Sequence, residues 1–216
     1  MKTGNRLLTV LVALVLMAAW ALDAPAQQVP LISKDELRSP AYGKGQLPVE
    51  HGEVTYTKVV AVEDASADDL MSRAVHALNS LSPKHVKRIT MQDNTNRILQ
   101  VDGSYAWCYS KRVGIKYTYY HTVTFDLRIE CREGRYRMTL DNMWDFDENG
   151  ASTDPSLPRY ADDSLLDSDG LLKLSNDSYI RAGVIKAKDE MFSMVESWMK
   201  RPVQSKKTIT GEGDDW

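Results

Sequence analysis

The sequence predicts an α+β domain, a twisted antiparallel sheet of about five strands with two helices packed on one face. Three observations carry this. Residues 117–144 alternate apolar and polar side chains on both sides of Glu133-Gly134, the period of two half-buried strands around a tight turn. Leu70, Met71, Ala74, Ala77, Leu78 and Leu81 recur at helical spacing, and so do Ile180, Val184, Ala187, Met191, Val195 and Trp198.

In chain order, Lys2 and Arg6 precede an apolar run from Leu7 to Leu22 that ends at Ala24-Pro25-Ala26, the layout of a secretory signal peptide over residues 1–26. The expectation is an exported protein, periplasmic or extracellular, with no transmembrane span after cleavage. The 216 residues carry a formal charge of −3. Loss of the leader leaves the chain weakly acidic, which disfavours nucleic acid as a partner. Residues 27–50 hold Pro30, Pro40, Pro48, Gly43 and Gly45 with little periodicity and read as an extended linker before a single domain over 51–200.

Val54 to Val62 is rich in β-branched residues and predicts a strand. Ser66 offers an N-cap to the first helix, with Asp68 and Asp69 at the positive end of its dipole, and Ser82-Pro83 stops it. Val86 to Met91 predicts a short strand, 93–96 a turn, and Ile98 to Tyr109 a longer strand in which Gly103 marks a bulge or a close approach. Residues 111–116 close a hairpin into the central pair. A two-residue turn at Glu133-Gly134 sets Arg132 opposite Arg135, Cys131 opposite Tyr136, Ile129 opposite Met138, Leu127 opposite Leu140 and Val123 opposite Trp144. Residues 145–170 then read as an acidic loop, because Arg159 is their only cation. Asn176 or Asp177 caps the last helix, and 201–216 read as a disordered tail.

Three pieces of this sequence, Gly52-Glu53-Val54 with Lys58-Val59-Val60, Ser66-Ala67-Asp68-Asp69-Leu70, and Arg132-Glu133-Gly134-Arg135-Tyr136-Arg137, resemble an uncharacterised family of envelope proteins from Bacteroides-type bacteria. That family is a domain of unknown function with a TATA-binding-protein-like (TBP-like) fold. The resemblance covers about residues 51–200 and implies a sheet with two helices on one side. It brings no catalytic or binding residues, and fold analogy to a DNA-bending protein is not an argument for DNA binding.

The chemistry-bearing residues are few. Tyr105, Trp107, Tyr109 and Tyr119 lie in the densest aromatic run, where a stacking platform for a sugar or peptide is the functional reading and sheet filler the structural one. Asp145, Asp147 and Asn149 before Gly150 match the first half of a calcium loop, but Ser156 stands where a bidentate Glu belongs. No other cofactor is expected. His51, His76, His85 and His121 show no metal spacing, and no Gly-x-Ser-x-Gly is present. Cys108 and Cys131 fall on opposite strand faces, so two separate thiols are expected. The expectation is therefore a non-catalytic envelope protein that binds a protein or glycan through its open sheet face or acidic loop. The alternative is a carboxylate-dependent, calcium-assisted hydrolase of the envelope.

Overall fold

In the computed structural model, residues 29–43, 47–81, 85–157, 165 and 167–201 are described. The expected signal peptide and all but the first residue of the expected tail lie outside them. The elements are β1 (Leu31–Ile32), α1 (Lys34–Leu37), α2 (Pro40–Gly43), β2 (Val49–Glu50), β3 (Glu53–Val54), β4 (Tyr56–Ala61), α3 (Ala67–Ser80), β5 (Val86–Asp93), β6 (Ile98–Val113), β7 (Ile115–Arg132), β8 (Arg135–Asp147), β9 (Ser152–Thr153) and α4 (Asn176–Met199).

The main sheet has seven strands rather than about five. Its backbone is β6-β7-β8, flanked by β4 on one edge and β1 on the other. Strand β5 lies beside the first half of β6, and β9 beside the far end of β8. The two additions too short to read from sequence are β1 and β9, each two residues long. Strand β1 runs parallel to β6, so the sheet is mixed rather than purely antiparallel. Strands β2 and β3 form a separate ribbon.

The hairpin register is as the side-chain alternation requires from Arg132–Arg135 through Leu127–Leu140 and Asp126–Asp141. It then shifts. Asn142, at φ 48°, and Met143 together stand opposite Phe125, so Thr124 pairs with Trp144 and Val123 with Asp145. The expected pairing of Val123 with Trp144 is corrected by this bulge, which turns Trp144 out and Asp145 in.

Val123, Phe125, Leu127, Ile129 and Cys131 of β7 line the core with Leu99, Val101, Tyr105 and Trp107 of β6 and Tyr136, Met138 and Leu140 of β8. Helices α3 and α4 cover that face together. Ser66 caps α3 by accepting from the Asp69 N–H at 3.1 Å, and Glu133 in the β7–β8 turn accepts from the Ala67 N–H at 3.1 Å, so the turn fixes the start of the helix. Arg73 then joins the helices, donating to the Met199 carbonyl at 2.9 Å and pairing with Asp69. The cap of α4 is Ser175, not Asn176 or Asp177, and Met199 rather than Trp198 is buried at its end. Trp198 instead lies half-buried beneath the Arg201 guanidinium, 4.4 Å from the ring centre.

Much of the expected linker is packed. Ile32, Leu37, Tyr42 and Leu47 are core residues, and Glu36 pairs with Lys186 of α4. Leu37 and Leu47 stand ten residues apart with the short α2 between them, so no period announces the packing. Among the described residues no helix is long and apolar enough to cross a membrane.

Candidate functional site

The aromatic run does not form a surface platform. Tyr105, Trp107 and Tyr109 occupy the inward positions of β6 and are buried, while Tyr119 is half-buried opposite Tyr109. Their rings make a core stack, Tyr109 lying 5.0 Å from Tyr119 and 4.3 Å from Tyr179 of α4. Burial, reinforced by Tyr119 and Tyr179, pushes the Tyr109 hydroxyl up to about 12. Such a stack stabilises the seam between β6, β7 and α4 but offers no ring face to a ligand.

The bulge at Asn142 places a second feature that the sequence did not announce. The Asp145 carboxylate turns into the core, where it accepts from Trp107 Nε1 at 3.1 Å and meets His121 Nδ1 at 2.7 Å. His121 stacks on Trp107 at 4.6 Å. Burial raises the Asp145 carboxyl above the usual carboxylate range, and the hydrogen bonds from His121 and Trp107 oppose that rise. The His–Asp pair orients the imidazole.

This arrangement separates the three residues of the calcium-loop pattern. Asp145 points inward, whereas Asp147 accepts from the backbone N–H groups of Asn149 and Ala151, both at 2.9 Å, and closes the β8–β9 turn. Those two bonds, Ala151 foremost, hold the Asp147 carboxyl below its usual range. Asn149 is exposed. Among the described residues no three His, Cys, Asp or Glu side chains cluster as a metal would need. Cys108 and Cys131 form no disulfide, and burial pushes the Cys131 thiol up to about 12.

What remains accessible is the other face of the sheet. The outward residues of β7, such as Thr122, Thr124 and Asp126, are half-buried beside one another, and among the described residues no helix lies over them. Trp144 is 39% exposed there and Tyr120 48%. Trp144 Nε1 donates to the Asn142 side-chain oxygen at 3.2 Å, and the Asn142 amide donates to Asp126 at 3.3 Å. Asp126 lies between Asp102 on β6 and Asp141 on β8, a row of three carboxylates across three strands. Arg88 of β5 pairs with Asp102 at 2.8 Å. A shallow concavity beside the row is lined by Glu53, Gln100, Asp126, Arg128, Asp141 and Asn142. Partial burial raises the Asp126 carboxyl, with Asp102 and Glu53 adding to the rise and Asn142 opposing it. Asp141 is raised by burial and by Asp126.

Residues 56–144, from the start of β4 to Trp144, match the family described as a domain of unknown function (DUF4468) with TBP-like fold. Over those residues this chain is similar to the DUF4468 family. A DUF4468 family protein from Bacteroides ovatus has a similar structure, with a TM-score of 0.59 and 13% identity, covering 74% of this chain and 93% of that one. A TBP-like protein from Parabacteroides distasonis covers 73% of this chain and 99% of its own length, with a TM-score of 0.50 and 14% identity. At such identities the likeness shows the fold alone. Among curated proteins nothing matches the sequence. The DUF4468 match includes the carboxylate row and Trp144 but stops before Asp145 and α4, so the open face lies within the family's own span and half of the His121–Asp145 pair outside it.

Proposed function

We propose that this protein is an exported binding module whose uncovered sheet face takes a glycan chain. The observation that carries the reading is the exposed Trp144 ring beside Asn142, Asp126 and Asp141. An aromatic face packs on the C–H face of a sugar ring while neighbouring carboxylate and amide groups take its hydroxyls. Export rests on the basic start, the apolar run and the Ala-Pro-Ala site of the leader. Capture on the immobilised protein, with solubilised envelope polysaccharide and envelope protein supplied separately, tests it. Retention of the polysaccharide supports a glycan site, and retention of envelope protein alone assigns the face to a protein partner.

A second reading, carboxylate-dependent glycan hydrolysis, has one observation in its favour. Asp126 and Asp141 face each other across β7 and β8, partial burial raises both carboxyls, and Asp126 adds to the rise at Asp141, so two neighbouring carboxyls of the type such hydrolysis uses stand side by side. The same capture separates the two readings. A binding module returns its polysaccharide at the starting length, and a hydrolase returns shortened chains with new reducing ends.

A further inference from the structure

The β6–β7 hairpin runs past the layer that covers the core. At about 3.3 Å per strand residue and 1.5 Å per helical residue, the 18 residues of β7 span about 60 Å and the 24 of α4 about 36 Å. At its tip Lys111, Arg112, Gly114, Ile115, Lys116 and Tyr117 are exposed. Ile115 is 70% exposed, Tyr117 51% and, farther from the turn, Tyr120 48%, an apolar end with an aromatic collar. Lys111, Arg112 and Lys116 surround it, and Lys34 at the start of α1 joins them around one concavity of about 330 Å³ with Ser110 and Gly114. In a chain of net charge −3 these four cations make no ion pair with a carboxylate among the described residues. Lys111 reaches only the Asn176 side-chain oxygen, and Arg112 only the Gly114 carbonyl, each at 3.5 Å. The hairpin from Ser110 to Tyr120 contains no acidic residue.

We propose that this hairpin tip docks on an anionic lipid surface, with Ile115 entering the acyl boundary, Tyr117 and Tyr120 at headgroup depth, and Lys34, Lys111, Arg112 and Lys116 over the lipid phosphates. The chemistry selects a membrane over a soluble polyanion. A polyanion needs cations but no projecting aliphatic side chain, whereas a bilayer uses both, with tyrosine at the polar boundary. The cations bring the tip to the surface and the Ile115 side chain holds it there, since a buried aliphatic group resists return to water. The docking leaves the outward face around Trp144 available, so it is independent of the glycan reading.

The test uses the full chain with vesicles of phosphatidylcholine alone and of equimolar phosphatidylcholine and phosphatidylglycerol. Binding is followed by co-sedimentation, and hydrogen exchange at amides 112–117 reports the tip itself, apart from any anchoring by the apolar run near the N-terminus. The tip amides gain protection on the mixed vesicles and not on phosphatidylcholine. Lys116→Ala weakens binding about fivefold, and Ile115→Ser about tenfold; both positions are exposed, so the melting temperature stays unchanged. Unprotected tip amides on the mixed vesicles overturn the proposal, as does equal protection on both. Heparin that protects the tip as well as vesicles do, with vesicle binding indifferent to Ile115→Ser, reassigns the cations to a soluble polyanion.

Discussion

Gly183 of α4 faces the Trp107 indole so closely that an added Cβ would stand 2.3 Å from the ring. The helix touches the sheet there through backbone, and Gly183→Ala forces one or the other to move. A loss of about 1–3 kcal/mol in denaturant unfolding is expected. Trp107 also depends on Asp145. Asp145→Ala leaves the buried indole N–H without its acceptor, and the expected loss is about 1–3 kcal/mol. Asp147→Ala, in an exposed turn, costs less. On the open face the sign reverses. Asp126 and Asp141 hold folded-state pKa values above their unfolded ones, so the folded state binds more protons than the unfolded one and stability falls as pH rises through that window. Asp126→Asn therefore raises the melting temperature at neutral pH. The gain shrinks as pH drops toward the ordinary carboxylate range, and a gain independent of pH contradicts the raised value.

At the scale of elements, the β7–β8 hairpin tests the assignment of faces. Leu127→Ala opens the centre of the core and costs about 2–5 kcal/mol, whereas Thr124→Ala on the outward side changes little. Comparable losses in urea melts mean that both faces are buried. The hairpin was legible because each inward pair from Cys131–Tyr136 to Leu127–Leu140 is apolar, and α3 because Leu70, Met71, Ala74, Ala77, Leu78 and, at its C-cap, Leu81 are buried at helical spacing. Gly103 was legible as a close approach, since a Cβ there would meet the Phe125 ring at 2.2 Å. The bulge was not. Alternation through Leu140 gives no sign that Asn142 will adopt positive φ, and one inserted residue exchanges the faces of everything after it. Where the two sets of candidate site residues lie follows from parity. Asp145 reads as a loop ligand only if β8 has ended, and Tyr105, Trp107 and Tyr109 read as a platform only if β6 shows its odd face to water.

Over the whole molecule, the core seats two helices on one face and, among the described residues, leaves the other without one, and the sequence carried that much through its alternation and its caps. It did not carry the packing of Ile32, Leu37, Tyr42 and Leu47. Those contacts are long-range, and segments of two to four residues have no period to detect. The bare face joins side chains from β5, β6, β7 and β8, so its carboxylate row exists only once the strands are in register: Asp102, Asp126 and Asp141 are spread over forty residues of chain. Trp144 borders that row, and its exposure is the central claim of the functional account. The most direct test is affinity electrophoresis of the protein, Trp144→Ala and Leu127→Ala in gels containing purified envelope polysaccharide, each checked by melting temperature. The account predicts that Trp144→Ala keeps its melting temperature and loses retardation by about tenfold or more. Leu127→Ala is predicted to lose stability but, wherever it remains folded, to keep its retardation. Full retardation of Trp144→Ala, or none of the parent protein, contradicts a glycan site on the open face.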